Sequence, residues 1–148
     1  MKQLAVLEKV AAAPDQANIP WCLGASGLLY FKGKTDHFHD IDILVLEDDV
    51  PRLKEVLPEL GTMVPSPPNG QYKTRHFPEF TIDEVDVDIM AGFTIVCDGM
   101  DHDRSFLPEQ IAETVCLRGQ TIPLQDPALW RQYYQWMGRP EKAALLRP

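Results

Sequence analysis

The chain is predicted to be an α/β (α+β) protein: a short, mixed, twisted sheet with helices mainly on one side and a helical C-terminal tail. Three observations predict this. Strand-like apolar runs at 19–23 and 40–46 each lead into a stretch of helical spacing. Two hairpin patterns follow, at 71–90 and 113–124. Residues 126–147 then return to helical spacing. A chain of 148 residues is expected to form one domain, with a core over about 14–125 and helices over about 126–147.

In order, residues 2–13 predict an amphipathic helix on Leu4, Leu7, Val10 and Ala11, stopped by Pro14-Asp15. Residues 19–23 predict the first strand. Leu28, Leu29 and Phe31 predict a short helix that ends near Gly33. Residues 34–39 form a loop into the strand 40–46. Asp49 is a plausible helix cap, Pro51 suits a first turn, and Val50, Leu53, Val56, Leu57 and Leu60 predict a helix over 50–60 that Pro58 distorts. A loop is expected at Pro65–Gly70. Residues 71–82 and 85–90 predict a hairpin about Asp83-Glu84. Residues 93–97 form a strand turning at Asp98-Gly99, and 100–108 a polar loop. Glu113–Leu117 and Thr121–Leu124 pair across Arg118-Gly119-Gln120. Asp126-Pro127 opens a helix closed by Gly138, and Pro140–Leu146 form the last one.

Composition narrows the function. The formal net charge is −8, which disfavours general nucleic-acid binding, since that depends on neutralising phosphates. The acidity serves solubility, and it would also attract a cationic substrate. Cys22, Cys97 and Cys116 are odd in number and have no metal-binding spacing, as expected of reduced thiols in a cytoplasmic protein. No apolar run suits a signal peptide or a membrane span.

The chemistry concentrates in residues 22–46. In His39-Asp40-Ile41-Asp42-Ile43, strand alternation points Asp40 and Asp42 to one face and Ile41 and Ile43 into the core. Their Cα atoms are then roughly 6–7 Å apart. Two carboxylates at that spacing converge on hard cations, Mg²⁺ or Mn²⁺ rather than zinc. Upstream, Gly24-Ala25-Ser26-Gly27 lies between a strand and a helix. Small residues there let backbone N–H groups and the Ser26 hydroxyl approach a phosphate. A phosphate cradle followed by a metal-binding pair suggests phosphoryl or nucleotidyl transfer. His37 and His39 with Asp40 and Asp42 could form a transition-metal cluster, but strand alternation would set the histidines on the opposite face. The plainer reading of the aromatic residues of Trp130–Trp136 is packing rather than base stacking.

With these motifs in order, the chain resembles the DNA polymerase β-like nucleotidyltransferase superfamily. It is most similar there to small bacterial members such as the lincosamide and aminoglycoside nucleotidyltransferases. The resemblance rests on Gly24-Ala25-Ser26, Asp40-Ile41-Asp42 and Val85-Asp86-Val87-Asp88-Ile89-Met90, over roughly 19–97. Ala25 departs from it, since relatives usually have a second glycine there. Lys34 departs too, where many relatives have arginine. The resemblance implies a third acid, Asp88 first and Asp86 second, and catalytic, metal-binding roles for Asp40, Asp42 and Asp88. It implies nucleotide contacts at Gly24, Ala25, Ser26 and Lys34, with Lys32, Lys73 and Arg75 as further cations near phosphate or substrate. The expected reaction moves an NMP group from an NTP, ATP foremost, to a hydroxyl of a small molecule or protein, with Mg²⁺ or Mn²⁺. The competing expectation is a degenerate nucleotide-binding or interaction module, such as a toxin–antitoxin partner. The chain's small size suggests a homodimer or partner that completes the site. The C-terminal stretch also resembles the helical tails of small relatives, which carry Gly-Arg followed by a charged pair.

Overall fold

A computed structural model describes residues 1–64 and 72–147; the loop expected at Pro65–Gly70 lies outside the described residues. Helix α1 (Lys2–Gln16) buries Val6, Leu7, Val10 and Ala11, as the spacing predicts. It does not stop at Pro14, which is buried inside it. A proline removes its own N–H from the ladder and crowds the carbonyl four residues back, and here the helix continues only to Gln16. The next turn closes by Ala17 N–H donating to the Ala13 carbonyl and Ile19 N–H to that of Pro14, at 3.2 and 2.8 Å. The helix ends where Asn18 turns left-handed, at φ 57°.

Strand β1 (Trp21–Gly24) runs directly into helix α2 (Ala25–Phe31). Strand β2 (Ile41–Val45) begins one residue after Asp40. The helix expected at 50–60 is divided into α3 (Val50–Val56) and a 3₁₀ turn at Leu57–Glu59, where Pro58 interrupts the α ladder. Asp49 makes no side-chain cap; its carboxylate pairs with Arg52 at 3.0 Å.

Strand β3 (Thr62–Val64) is an addition to the expected elements: three residues on a sheet edge, with Met63 54% exposed, too short and too exposed to leave an alternation. Strands β4 (Glu79–Ile82) and β5 (Val85–Met90) form the predicted hairpin. Asp83 and Glu84 both have positive φ, 48° and 67°, the signature of a type I′ turn. Their carboxylates bind Lys9 and Lys2 of α1.

Strand β6 (Thr94–Cys97) pairs with β7 (Met100–Asp103), so the expected polar loop at 100–108 is corrected over its first residues. Asp98-Gly99, at φ 51° and 73°, makes another two-residue turn that sets the pairing whatever the side chains. Strand β8 (Ile111–Leu117) pairs with β9 (Gln120–Gln125), and helices α4 (Pro127–Trp136) and α5 (Pro140–Leu145) close the described chain. Asp126 caps α4, accepting from Ala128 N–H at 2.9 Å.

Seven strands form one mixed sheet in the order β3-β4-β5-β2-β1-β9-β8. The pairs β2–β5 and β1–β9 are parallel and the others antiparallel. Ile41, Ile43, Val85, Val87 and Ile89 are all buried, so one face of β2 and β5 is core. Helix α1 packs on β5 and β9. The tail returns over the opposite, aspartate-bearing face, where Trp130 of α4 lies against Gly24. No helix among the described residues is long and apolar enough to cross a membrane.

Candidate active site

The site is a row across the sheet. Gly24 of β1 stands opposite Asp42 of β2. Asp42 is in register with Asp88 of β5, and Asp88 with Glu79 of β4. Directly paired residues share a face, so one side of the sheet carries a glycine and three carboxylates at interstrand spacing of about 5 Å. Asp40, two residues before Asp42, joins them. All four carboxylates line one cleft of about 620 Å³, together with Ala25 and Ser26. Asp86 faces the same side, but it is exposed, accepts from the Thr81 hydroxyl at 3.3 Å, and does not line the cleft.

This concentration of like charge alters its members. Burial, then the neighbouring Asp88 and Asp40, pushes Asp42 well above the usual carboxylate range. Burial and the Glu79 and Asp40 carboxylates push Asp88 up to about 7. Burial and Asp86 raise Asp40. Asp42 and Asp88 titrate as a pair, and burial favours their protonated forms. Among the described residues no ion pair compensates Asp40, Asp42 or Asp88. No three His, Cys, Asp or Glu side chains there stand in a ready-made metal-ligating arrangement. The donor set is nevertheless all carboxylate oxygen, and that chemistry suits a hard divalent ion.

The glycine turn has a local cause for each residue. A Cβ at Gly24 would stand 2.6 Å from the Trp130 ring, and one at Gly27 would touch Leu23 at 3.0 Å. Gly24 is therefore small because an indole occupies its side-chain position; its own backbone is extended, at φ −124°. The left-handed residue is Ala25, at φ 52°, where the relatives' second glycine would be relaxed. Ser26 Oγ donates to the Asp40 carbonyl at a long 3.4 Å, which ties the turn to the aspartate strand.

Other expected contacts lie elsewhere. Lys34 is exposed on a separate cleft with Lys32 and Arg131, and is not among the residues lining the acidic one. Its loop has no periodicity from which a direction could be read. Lys32 pairs with Glu113. Lys73 pairs with Asp101. Arg75 makes two bonds to Glu47, at 2.7 and 3.2 Å, and others to Asp103 and Ser105. It thereby pins the β6–β7 hairpin to the segment after β2. His37 bonds Asp36 at 2.6 Å and packs its ring against His39, and neither histidine lines the cleft.

The structure adds residues that the sequence reading did not select. Glu79 was hidden in a segment that alternates only loosely. Tyr72, Phe93, Trp130 and Tyr134 line the cleft, with Tyr72–Phe93 and Phe93–Trp130 stacked at 6.2 and 5.8 Å between centroids. Trp130 and Phe93 are core residues, each 1% exposed, as the packing interpretation holds. Arg139 and Lys142 of the tail also line the cleft; the Gly138-Arg139 pair and the charges after it were the available signal.

Comparison with known proteins agrees with this architecture. No family model matches the chain, and no curated protein matches it. Among solved structures, it is similar to a Thermotoga maritima protein assigned as a nucleotidyltransferase: 26% identity, covering 99% of this chain and 91% of that one, with a TM-score of 0.75. It is also similar to ANT(2″)-Ia in complex with adenylyl-2″-tobramycin: 15% identity, 99% and 88% coverage, TM-score 0.65. A solution structure of ANT(2″)-Ia matches at 16% identity, 98% and 82% coverage, and TM-score 0.64. The chain has the nucleotidyltransferase fold. The family resemblance carried by its motifs is borne out over nearly its full length.

Proposed function

We propose that the protein moves a nucleoside monophosphate from an NTP, ATP foremost, to a hydroxyl of a small molecule. The observation that carries this reading is the register Gly24–Asp42–Asp88, which sets the glycine turn beside the carboxylates. Asp40, Asp42 and Asp88 would hold the divalent cation, Mg²⁺ or Mn²⁺. Bound there, it would neutralise phosphate charge and acidify the acceptor hydroxyl. Backbone N–H groups at 24–26 and the Ser26 hydroxyl would position the phosphates. The acceptor oxygen bonds to the α-phosphorus as the bond from that phosphorus to the bridging oxygen breaks. The electron pair leaves with pyrophosphate, and the acceptor proton passes to the Asp88 carboxylate. The cleft volume falls in the range of small-molecule sites. The additional Glu79 carboxylate and the net charge of −8 favour an acceptor that carries amines, which agrees with the tobramycin adduct seen in ANT(2″)-Ia.

The test is calorimetric titration of each NTP with and without Mg²⁺, on wild type and on Asp40→Asn/Asp42→Asn. Mg²⁺-dependent binding that disappears in the double variant is the expected result. Binding that is equal in both proteins, or absent from wild type, overturns the assignment.

A further inference from the structure

The acidic cleft contains its own cationic corner. Gly138, left-handed at φ 73°, reverses the chain after α4, and Pro140 starts α5 back along it. Ala143 and Leu146 are buried and fasten the segment. Arg139 and Lys142 are thereby brought to the cleft wall. The Lys142 charge acts on both Asp40 and Asp42 across the cleft that all three line. Its ammonium stands over the Tyr134 ring, 5.6 Å from the centroid. Arg139 has a loose contact with Glu141 at 3.6 Å. Between them, Tyr134 is 2% exposed, lines the same cleft, and its hydroxyl has no hydrogen-bond partner. A buried hydroxyl left unpaired is costly, and a ligand oxygen reaching it from the cleft would satisfy it.

We propose that Arg139, Lys142 and the Tyr134 hydroxyl bind the β- and γ-phosphates of the donor, and so hold the pyrophosphate as it leaves. This rests on the nucleotidyl-transfer reading above. It assigns the tail a role the glycine turn cannot fill alone. Four carboxylates repel a triphosphate, and these two side chains are the cations that line the cleft opposite that repulsion. Arg and Lys donate charge-assisted bonds to phosphate oxygens, and the tyrosine adds a neutral donor.

The test titrates inorganic pyrophosphate, ATP and AMP into wild type, Lys142→Ala, Lys142→Arg and Tyr134→Phe, all with Mg²⁺. Lys142→Ala is expected to weaken pyrophosphate and ATP about tenfold or more while AMP stays within about twofold. Lys142→Arg should recover most of the loss. Tyr134→Phe keeps the ring and removes an unpaired hydroxyl, so its thermal stability should hold while pyrophosphate affinity falls. Pyrophosphate and ATP affinities unchanged in Lys142→Ala overturn the inference alone. The same holds if that variant merely tightens Mg²⁺, which would make Lys142 a counter-ion to the aspartates. Wild type that binds neither ATP nor pyrophosphate overturns the nucleotidyl-transfer reading itself.

Discussion

Ala25 is the residue where conformation and composition disagree. Its φ of 52° lies in the left-handed region, which costs an L-residue roughly 1–2 kcal/mol and a glycine almost nothing. Strain of this kind gathers at functional turns, where the surroundings over-determine it. Here the determinants are Gly24 under the Trp130 ring on one side and the Ser26–Asp40 bond on the other. Ala25→Gly is expected to relieve the strain, offset in part by a more flexible unfolded chain. The net result should be a gain of up to about 1 kcal/mol in denaturant unfolding. A loss of that size would mean that the methyl group makes contacts worth more than the strain.

At the scale of elements, two-residue turns carry much of the architecture. Asp83-Glu84, Asp98-Gly99 and Arg118-Gly119 each take positive φ at both positions and fix the hairpins they close. The β6–β7 hairpin lies outside the main sheet, and Arg75, whose guanidinium joins Glu47 to Asp103 and Ser105, ties its second strand to the segment after β2. Gly92 leaves room for this: a Cβ there would meet Arg75 Nε at 2.7 Å and Glu47 Oε1 at 2.9 Å. Arg75→Met should speed amide exchange across 94–103 with little change in melting temperature, since the pairs are exposed. Uniform protection in the variant would show that the hairpin is held by other contacts.

The same scale explains what was legible in the sequence. Period-two alternation identified the strands around Asp40, Asp42 and Asp88 and their shared face. It left Asp86 beside Asp88 as a candidate, because both point the same way, and only the β2–β5 register sets Asp88 against Asp42. Elements without periodicity were lost: β3 is too short, and β7 is polar because neither of its faces is core. Lys34 and Lys142 illustrate a further limit. A cation's address depends on where its loop or tail docks, and local pattern does not encode docking.

For the molecule as a whole, the crowded carboxylates set a pH dependence. In metal-free protein Asp42 is raised by burial and by the Asp88 and Asp40 charges, and Asp88 by burial and by the Glu79 and Asp40 charges, to about 7. The unfolded chain releases these protons near pH 4, so between about pH 4 and about pH 7 the folded state binds more protons than the unfolded. Stability from this pair is therefore complete below that window and lost as pH rises through it. With chelator present, the melting temperature should fall from about pH 5 to about pH 7, and Asp88→Asn should flatten the fall. Added Mg²⁺ should restore stability at the higher pH, where the carboxylates are ionised and free to bind it. A melting temperature independent of both pH and Mg²⁺ would place the pair in ordinary solvated surroundings.

One contact extends beyond this chain. Position 24 is a hollow and position 130 the ring that fills it, 106 residues later in the sequence. Neither is free to drift by itself: a methyl at 24 displaces the indole, and a small residue at 130 leaves a hole beside the turn. In any lineage that inherits this arrangement the two positions should change together or not at all. The glycine would then be kept for the shape of a distant tryptophan as much as for the phosphate contact proposed for it.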